Sequence, residues 1–97
     1  MRLWKIYELL SSKELMDEGG QMKHCVWSYA QSCHRGECRI FSITVQTADG
    51  IEKMLTIEVR LASMSIRQVR GKLNRLPEPK EREIVQRWAT KYGLTYE

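Results

Sequence analysis

Two alternating runs constrain this chain more than any other feature. Phe41, Ile43 and Val45 alternate with Ser42, Thr44 and Gln46, and Leu55, Ile57, Val59 and Leu61 alternate with Thr56, Glu58 and Arg60. Successive side chains of a strand point to opposite faces, so a period of two marks a strand with one apolar and one polar face. Between the runs stands Ala48-Asp49-Gly50, a hairpin turn signal. The spacing predicts strands over about 38–46 and 52–61, and a weaker third over about 64–70 after a short connection. Joined by short turns, the three pair as an antiparallel meander. Pro77 and Pro79 stop the third strand, and Pro79 suits the first turn of a helix over about 80–92. Ile84, Val85, Trp88 and Tyr92 form its apolar face, and Gly93 caps its end.

Ahead of the strands the period is helical. Leu3, Ile6, Tyr7 and Leu10 predict a short amphipathic helix over 2–10. Ser11 with Glu14 three residues on forms a capping box that starts a second turn, so the N-terminal helices reach 17, and Gly19-Gly20 ends them. Met22, Cys25, Val26, Tyr29 and Cys33 make one continuous helical stripe, which predicts a helix over about 21–35 closed by Gly36. A sheet that is polar on one face takes its helices on the other. The expected fold is α+β in two layers: N-terminal helices, a three-stranded antiparallel meander and a C-terminal helix. Ninety-seven residues hold one such domain, 1–97.

Sixteen Lys and Arg against twelve Asp and Glu give a net charge of +4, which suits a polyanionic partner without requiring one. No apolar run approaches the ~20 residues that span a bilayer, so no membrane partner is expected. Lys5 and Glu8 break up the apolar N-terminus, which is no signal-peptide core. Three cysteines, an odd number, read as reduced thiols in a cytoplasmic protein.

All three cysteines and both histidines fall within the segment 22–38. Zinc takes about four ligands around one point. Eight residues of helix separate Cys25 from Cys33, ~12 Å along the axis, and His24 points ~100° away from Cys25. Cys33, His34 and Cys38 converge only if the chain folds back at Gly36, and they lack a fourth ligand. No metal and no cofactor is expected. A thiol nucleophile needs a base beside it, and His24 cannot serve Cys25 from the adjacent position. Within the apolar stripe, Cys25 and Cys33 behave as small hydrophobes. His24 stands off that stripe in a polar row with Ser28 and Gln31, the position of a solvated face or of a functional group.

Arg67, Arg70, Lys72 and Arg75 lie within nine residues, around Gly71 and next to Asn74. Arginine forks and backbone N–H groups at such a turn suit phosphate oxygens. The same charges equally suit an edge strand protected against aggregation. Aromatic residues are not interleaved with these cations, and no RNA-binding, zinc-finger or helix-turn-helix pattern is present.

Three separated segments carry a resemblance. Glu18, Gly19, Met22, His24, Cys25, Val26 and Tyr29 match an EG-x-x-M-x-HCV-x-x-Y pattern, Thr56 and Glu58 a T-x-E strand, and Gln68, Gly71 and Asn74 a Q-x-x-G-x-x-N pattern. In these the chain resembles the PcfJ-like family, from about 14 to 89. The resemblance implies a setting in bacterial plasmids, phages and other mobile elements, and it brings no established biochemical activity. Members of that family are often longer, and the chain corresponds to their C-terminal domain nearly alone. The polar motif positions, His24, Tyr29, Glu58, Gln68 and Asn74, are more than packing requires.

Three functions follow as expectations. The first is a non-catalytic module that contacts nucleic acid or a nucleoprotein partner through Arg67, Arg70, Lys72, Asn74 and Arg75. The second is an enzyme or small-ligand pocket around His24, with Tyr29, Glu58, Gln68 and Asn74 as further candidate catalytic or orienting residues. The third is a homodimeric scaffold that pairs a strand edge with its copy.

Overall fold

The computed structural model describes residues 2–22 and 36–96. In chain order these form β1 (Leu3–Glu8), α1 (Ser12–Met22), β2 (Cys38–Thr47), β3 (Gly50–Arg60), β4 (Ser65–Arg70), a 3-10 turn (Lys72–Asn74) and α2 (Pro79–Lys91). The fold is α+β, but its sheet has four strands rather than three. They lie in the order β1-β2-β3-β4, and every neighbouring pair is antiparallel. The expected hairpin is present: Thr47 pairs with Gly50 across Ala48 and Asp49, and Gly50 has φ +127°, a conformation suited to glycine.

The extra strand is β1, where a helix was expected over 2–10. A run this short fits both periods, and tertiary pairing decides between them. Trp, Ile and Tyr are strand formers. Alternation sends Trp4 and Ile6 to the main core while Leu3 and Lys5 stay exposed. The strand pairs with β2 from Leu3↔Gln46 to Glu8↔Phe41.

Helix α1 begins where the capping box placed it. The Glu14 N–H donates to Ser11 Oγ at 3.1 Å, and Glu14 Oε1 accepts the Leu10 N–H at 2.8 Å. It continues through Gly19-Gly20, because Leu15, Glu18 and Met22 form one buried stripe. Docking that stripe outweighs the ~1 kcal/mol that each glycine costs a helix. Of the helix expected over 21–35, residues 21 and 22 belong to α1 and the rest lies outside the described residues.

Both faces of the sheet are covered, so the two-layer expectation is corrected to three. On one face Ile43, Leu55, Ile57, Val59, Ile66 and Val69 pack against Val85 and Ala89 of α2. On the other lie Ser42, Thr44, Thr56 and Glu58, the expected wet face, and all four are buried. Helix α1 reaches that face through Glu18, and beside it Leu9, Leu15, Cys38 and Ile40 close a smaller apolar cluster.

Two register shifts decide which side chains share a face. Ile43 pairs with Leu55 but Thr44 with Lys53, so Met54 is an extra residue. This bulge turns the Lys53 side chain to the same face as Thr56, three positions away, where a regular strand would oppose them. Glu58 pairs with Gln68 but Val59 with Ile66, which leaves Arg67 as the extra residue of β4.

After β4 the chain folds tightly back. The Gly71 N–H donates to Arg75 O at 2.8 Å, and the Arg75 guanidinium crosses the Gly71 Cα to meet Glu81. That pair is bidentate, at 2.8 and 2.9 Å, and the Glu81 carboxylate is buried. Glu81 Oε1 also accepts the Glu78 N–H at 2.8 Å, so one carboxylate both holds Arg75 and caps α2. A Cβ on Gly71 would stand 2.7 Å from Arg75 Cζ and Nε. Gly71→Ala is therefore expected to destabilise the fold by about 1–3 kcal/mol, the cost of a disturbed buried charge pair. In an Arg75→Ala background the same change should cost only a few tenths of that, because the obstruction is gone. Urea denaturation of the four proteins checks this, and equal costs in both backgrounds would contradict it.

Candidate functional site

Among the described residues, two places gather polar and charged side chains. The first is the sheet face under α1. The Glu18 carboxylate is fully buried and accepts from Ser42 Oγ at 3.0 Å, Thr56 Oγ1 at 2.5 Å and Lys53 Nζ at 2.7 Å. Lys53 also donates to the Tyr7 hydroxyl at 3.0 Å. Burial alone would lower the pKa of Lys53, but its bonds to Glu18 and Tyr7 prevail and raise it. Three elements thus meet on one carboxylate, and β1 joins them through Lys53.

Glu58 sits on the same face, two residues along β3 from Thr56 and opposite Gln68 in register. Its Oε1 is buried with no hydrogen-bond partner among the described residues. Burial pushes its carboxyl above the ordinary range, and the charge of Arg67 offsets part of that rise. Glu81 departs in the opposite direction: burial alone would raise it, but hydrogen bonds from Arg75 and the Glu78 N–H hold it below the ordinary range.

The second place is a groove of about 420 Å³ along the outer edge of β4. Arg67, Arg70 and Arg82 line it together with Leu76, Pro77 and Tyr96. Arg70 Nη1 donates to Val69 O at 2.9 Å, and the Arg82 guanidinium lies 5.5 Å from the centre of the Tyr96 ring. Tyr96 is carried there by the C-terminal segment, which returns beside the start of β4. Thr95 bridges Ser65 in parallel, the Ile66 N–H donates to Thr95 O at 2.8 Å, and the Thr95 N–H to Met64 O at 3.0 Å.

Of the residues expected to bind, Arg67 and Arg70 stand in this groove, and Lys72 is exposed at the end of β4. Arg75 does not line it, because its fork is occupied by Glu81. Asn74 lies on the exposed turn, with φ 64°, a left-handed conformation that asparagine tolerates. Among the other candidates, Glu58 and Gln68 are brought opposite each other, whereas His24 and Tyr29 lie outside the described residues, as do Cys25, Cys33 and His34. The Cys38 thiol is buried in the apolar cluster beside α1. Arg82 and Tyr96 escaped the sequence reading. Neither belongs to the basic segment, since both stand beyond Pro77 and Pro79, and the tertiary fold brings them to it. No helix among the described residues is long and apolar enough to cross a membrane.

A family model described as PcfJ-like protein matches residues 4–85. No curated protein and no solved structure matches the chain.

The two perturbed carboxyls give opposite pH dependences. The stability tied to Glu58, raised in the fold, is complete below its ordinary value of 4.5 and is lost as pH climbs through the raised value. That tied to Glu81, lowered in the fold, is present above 4.5 and is lost as pH falls through the lowered value. Glu58→Gln is expected to exceed the parent protein in stability at pH 7, with a gain that shrinks toward pH 4. Urea midpoints across that range check it, and a gain that does not vary with pH would contradict it.

Proposed function

The chain belongs to the PcfJ-like protein family, and we propose that this domain is a non-catalytic binding module that holds nucleic acid, alone or within a nucleoprotein partner, by its phosphates. The observation that carries the proposal is the β4-edge groove, where Arg67, Arg70 and Arg82 face one concavity. Three guanidinium groups along the edge of β4 offer forked donors to phosphate oxygens. Lys72 extends the positive charge beyond the end of β4. The mobile-element setting that the resemblance implies, in the bacterial cytoplasm, supplies such a polyanion. Arg75 takes no direct part, because Glu81 neutralises it.

A second reading, a small-ligand or catalytic pocket around His24, is favoured by one observation, the buried Glu58 oxygen that has no hydrogen-bond partner among the described residues. In that reading Gln68 stands opposite Glu58, and the sequence adds His24, Tyr29 and Asn74 as candidates. Amide chemical shifts on titration with nucleotides separate the two. Changes at Glu58 and Gln68 without changes at Arg82 and Tyr96 favour the pocket, and the reverse favours the groove. A homodimer through the β4 edge would cover the same groove, and light scattering distinguishes it.

Binding of a nucleic-acid oligomer is expected to weaken linearly with the logarithm of salt concentration, because each neutralised phosphate releases counterions. Arg67→Ala and Arg70→Ala should each lower the slope by about 1, whereas Arg87→Ala, whose side chain pairs with Glu83 on the exposed face of α2, should leave it unchanged. No binding near about 50 mM salt, or a slope indifferent to the groove arginines, would remove the proposal.

A further inference from the structure

Resting on the groove reading above, we infer that the nucleic acid held along β4 is a single strand, with a base stacked on Tyr96. Shape is the first argument. A reader of duplex inserts a convex helix or ribbon into a groove of the DNA. Here the cations line a concavity whose volume, about 420 Å³, lies in the range of small-ligand pockets, roughly 300–1,000 Å³. Such a space admits one or two nucleotides of an unpaired strand and no double helix.

The second argument is chemical and independent of charge. Binding to single strands combines a cationic track with aromatic surfaces for bases. The basic segment has no aromatic residue of its own, but the fold supplies one. The bridge between Ser65 and Thr95 fixes the C-terminal segment against β4 and sets Tyr96, half-buried, into the wall of the groove. Arg82 lies over the ring at 5.5 Å, so cation and aromatic ring already form one unit. Leu76, 68% exposed, and Pro77 give the same groove an apolar wall that phosphates alone would not use. Arg67 at the bulge and Arg70 at the end of β4 both line the groove, which suits phosphates on either side of a stacked base.

Fluorescence anisotropy with three labelled probes tests the inference on the whole chain: a thymidine oligomer of about 12 nucleotides, its duplex with the complement, and an oligomer of abasic residues of the same length. The thymidine oligomer is expected to bind at least about tenfold more tightly than the duplex and the abasic oligomer. Tyr96→Ala should weaken thymidine binding about tenfold and leave abasic binding unchanged, while Tyr96→Phe should retain the parent affinity. The comparison of thymidine with abasic oligomers needs no variant and stands even if Tyr96→Ala unfolds. Equal or tighter binding of the duplex, or equal binding of the abasic oligomer, overturns the single-strand inference and leaves the phosphate groove standing. Polyglutamate competing as well as the thymidine oligomer overturns it in favour of an acidic protein partner. Failure of every probe to bind near about 50 mM salt overturns the groove reading itself, and this inference with it.

Discussion

The rest of the structure depends on one buried carboxylate. Glu18 is fully removed from water, and an ion in that position is costly by several kcal/mol unless donors replace its hydration. Ser42, Thr56 and Lys53 do so from two neighbouring strands, and Tyr7 of β1 holds the far side of the Lys53 ammonium. This arrangement gives α1 one place to dock, because any other register of helix on sheet leaves a charge buried and unpaired. It also explains why Ser42 and Thr56 can be buried at all. The bulge at Met54 is part of the same device, since without it Lys53 would point into the apolar core with Leu55.

A second carboxylate performs the corresponding task at the opposite end of the chain. Glu81 accepts from Arg75 and from the N-terminus of α2, so it sets where that helix begins and how it leaves β4. Arg82 is the next residue, and its place over Tyr96 follows from that start. Arg75 therefore shapes the groove without facing into it. Gly71 serves the same geometry, because only a residue without a side chain lets the guanidinium cross. A glycine that looked suited to phosphate approach is used for an arginine of the same turn.

Much of this fold was legible in the sequence. The alternation over 41–61 located β2 and β3 to within a residue or two, and Ala48-Asp49-Gly50 located their hairpin. Proline and the apolar spacing of Val85 and Trp88 located α2. What failed had physical causes. In β1 six residues fit both periods, and the free edge of β2 decided between them. At Gly19-Gly20 a local stop signal lost to the burial of Met22. The polar face of β2 and β3 read as solvated because its partner, Glu18, looks in sequence like any charged helix residue. At the candidate site, Arg67 and Arg70 were legible as local charge. The pairing of Arg75 was not legible because its partner, Glu81, lies in a different element, and Arg82 and Tyr96 join the groove only through tertiary contacts.

The central claim is that the Glu18 carboxylate fixes α1 to the polar face of the sheet. Native-state hydrogen exchange of Glu18→Gln tests it most directly. The charge disappears and the side chain keeps its size, while Lys53 loses its anion and one amide donor is forced toward other donors. The account predicts that amides of α1 lose protection by about a hundredfold or more relative to those of α2, which stays packed on the opposite face. Protection lost equally in α1 and α2, or retained in α1, would contradict it.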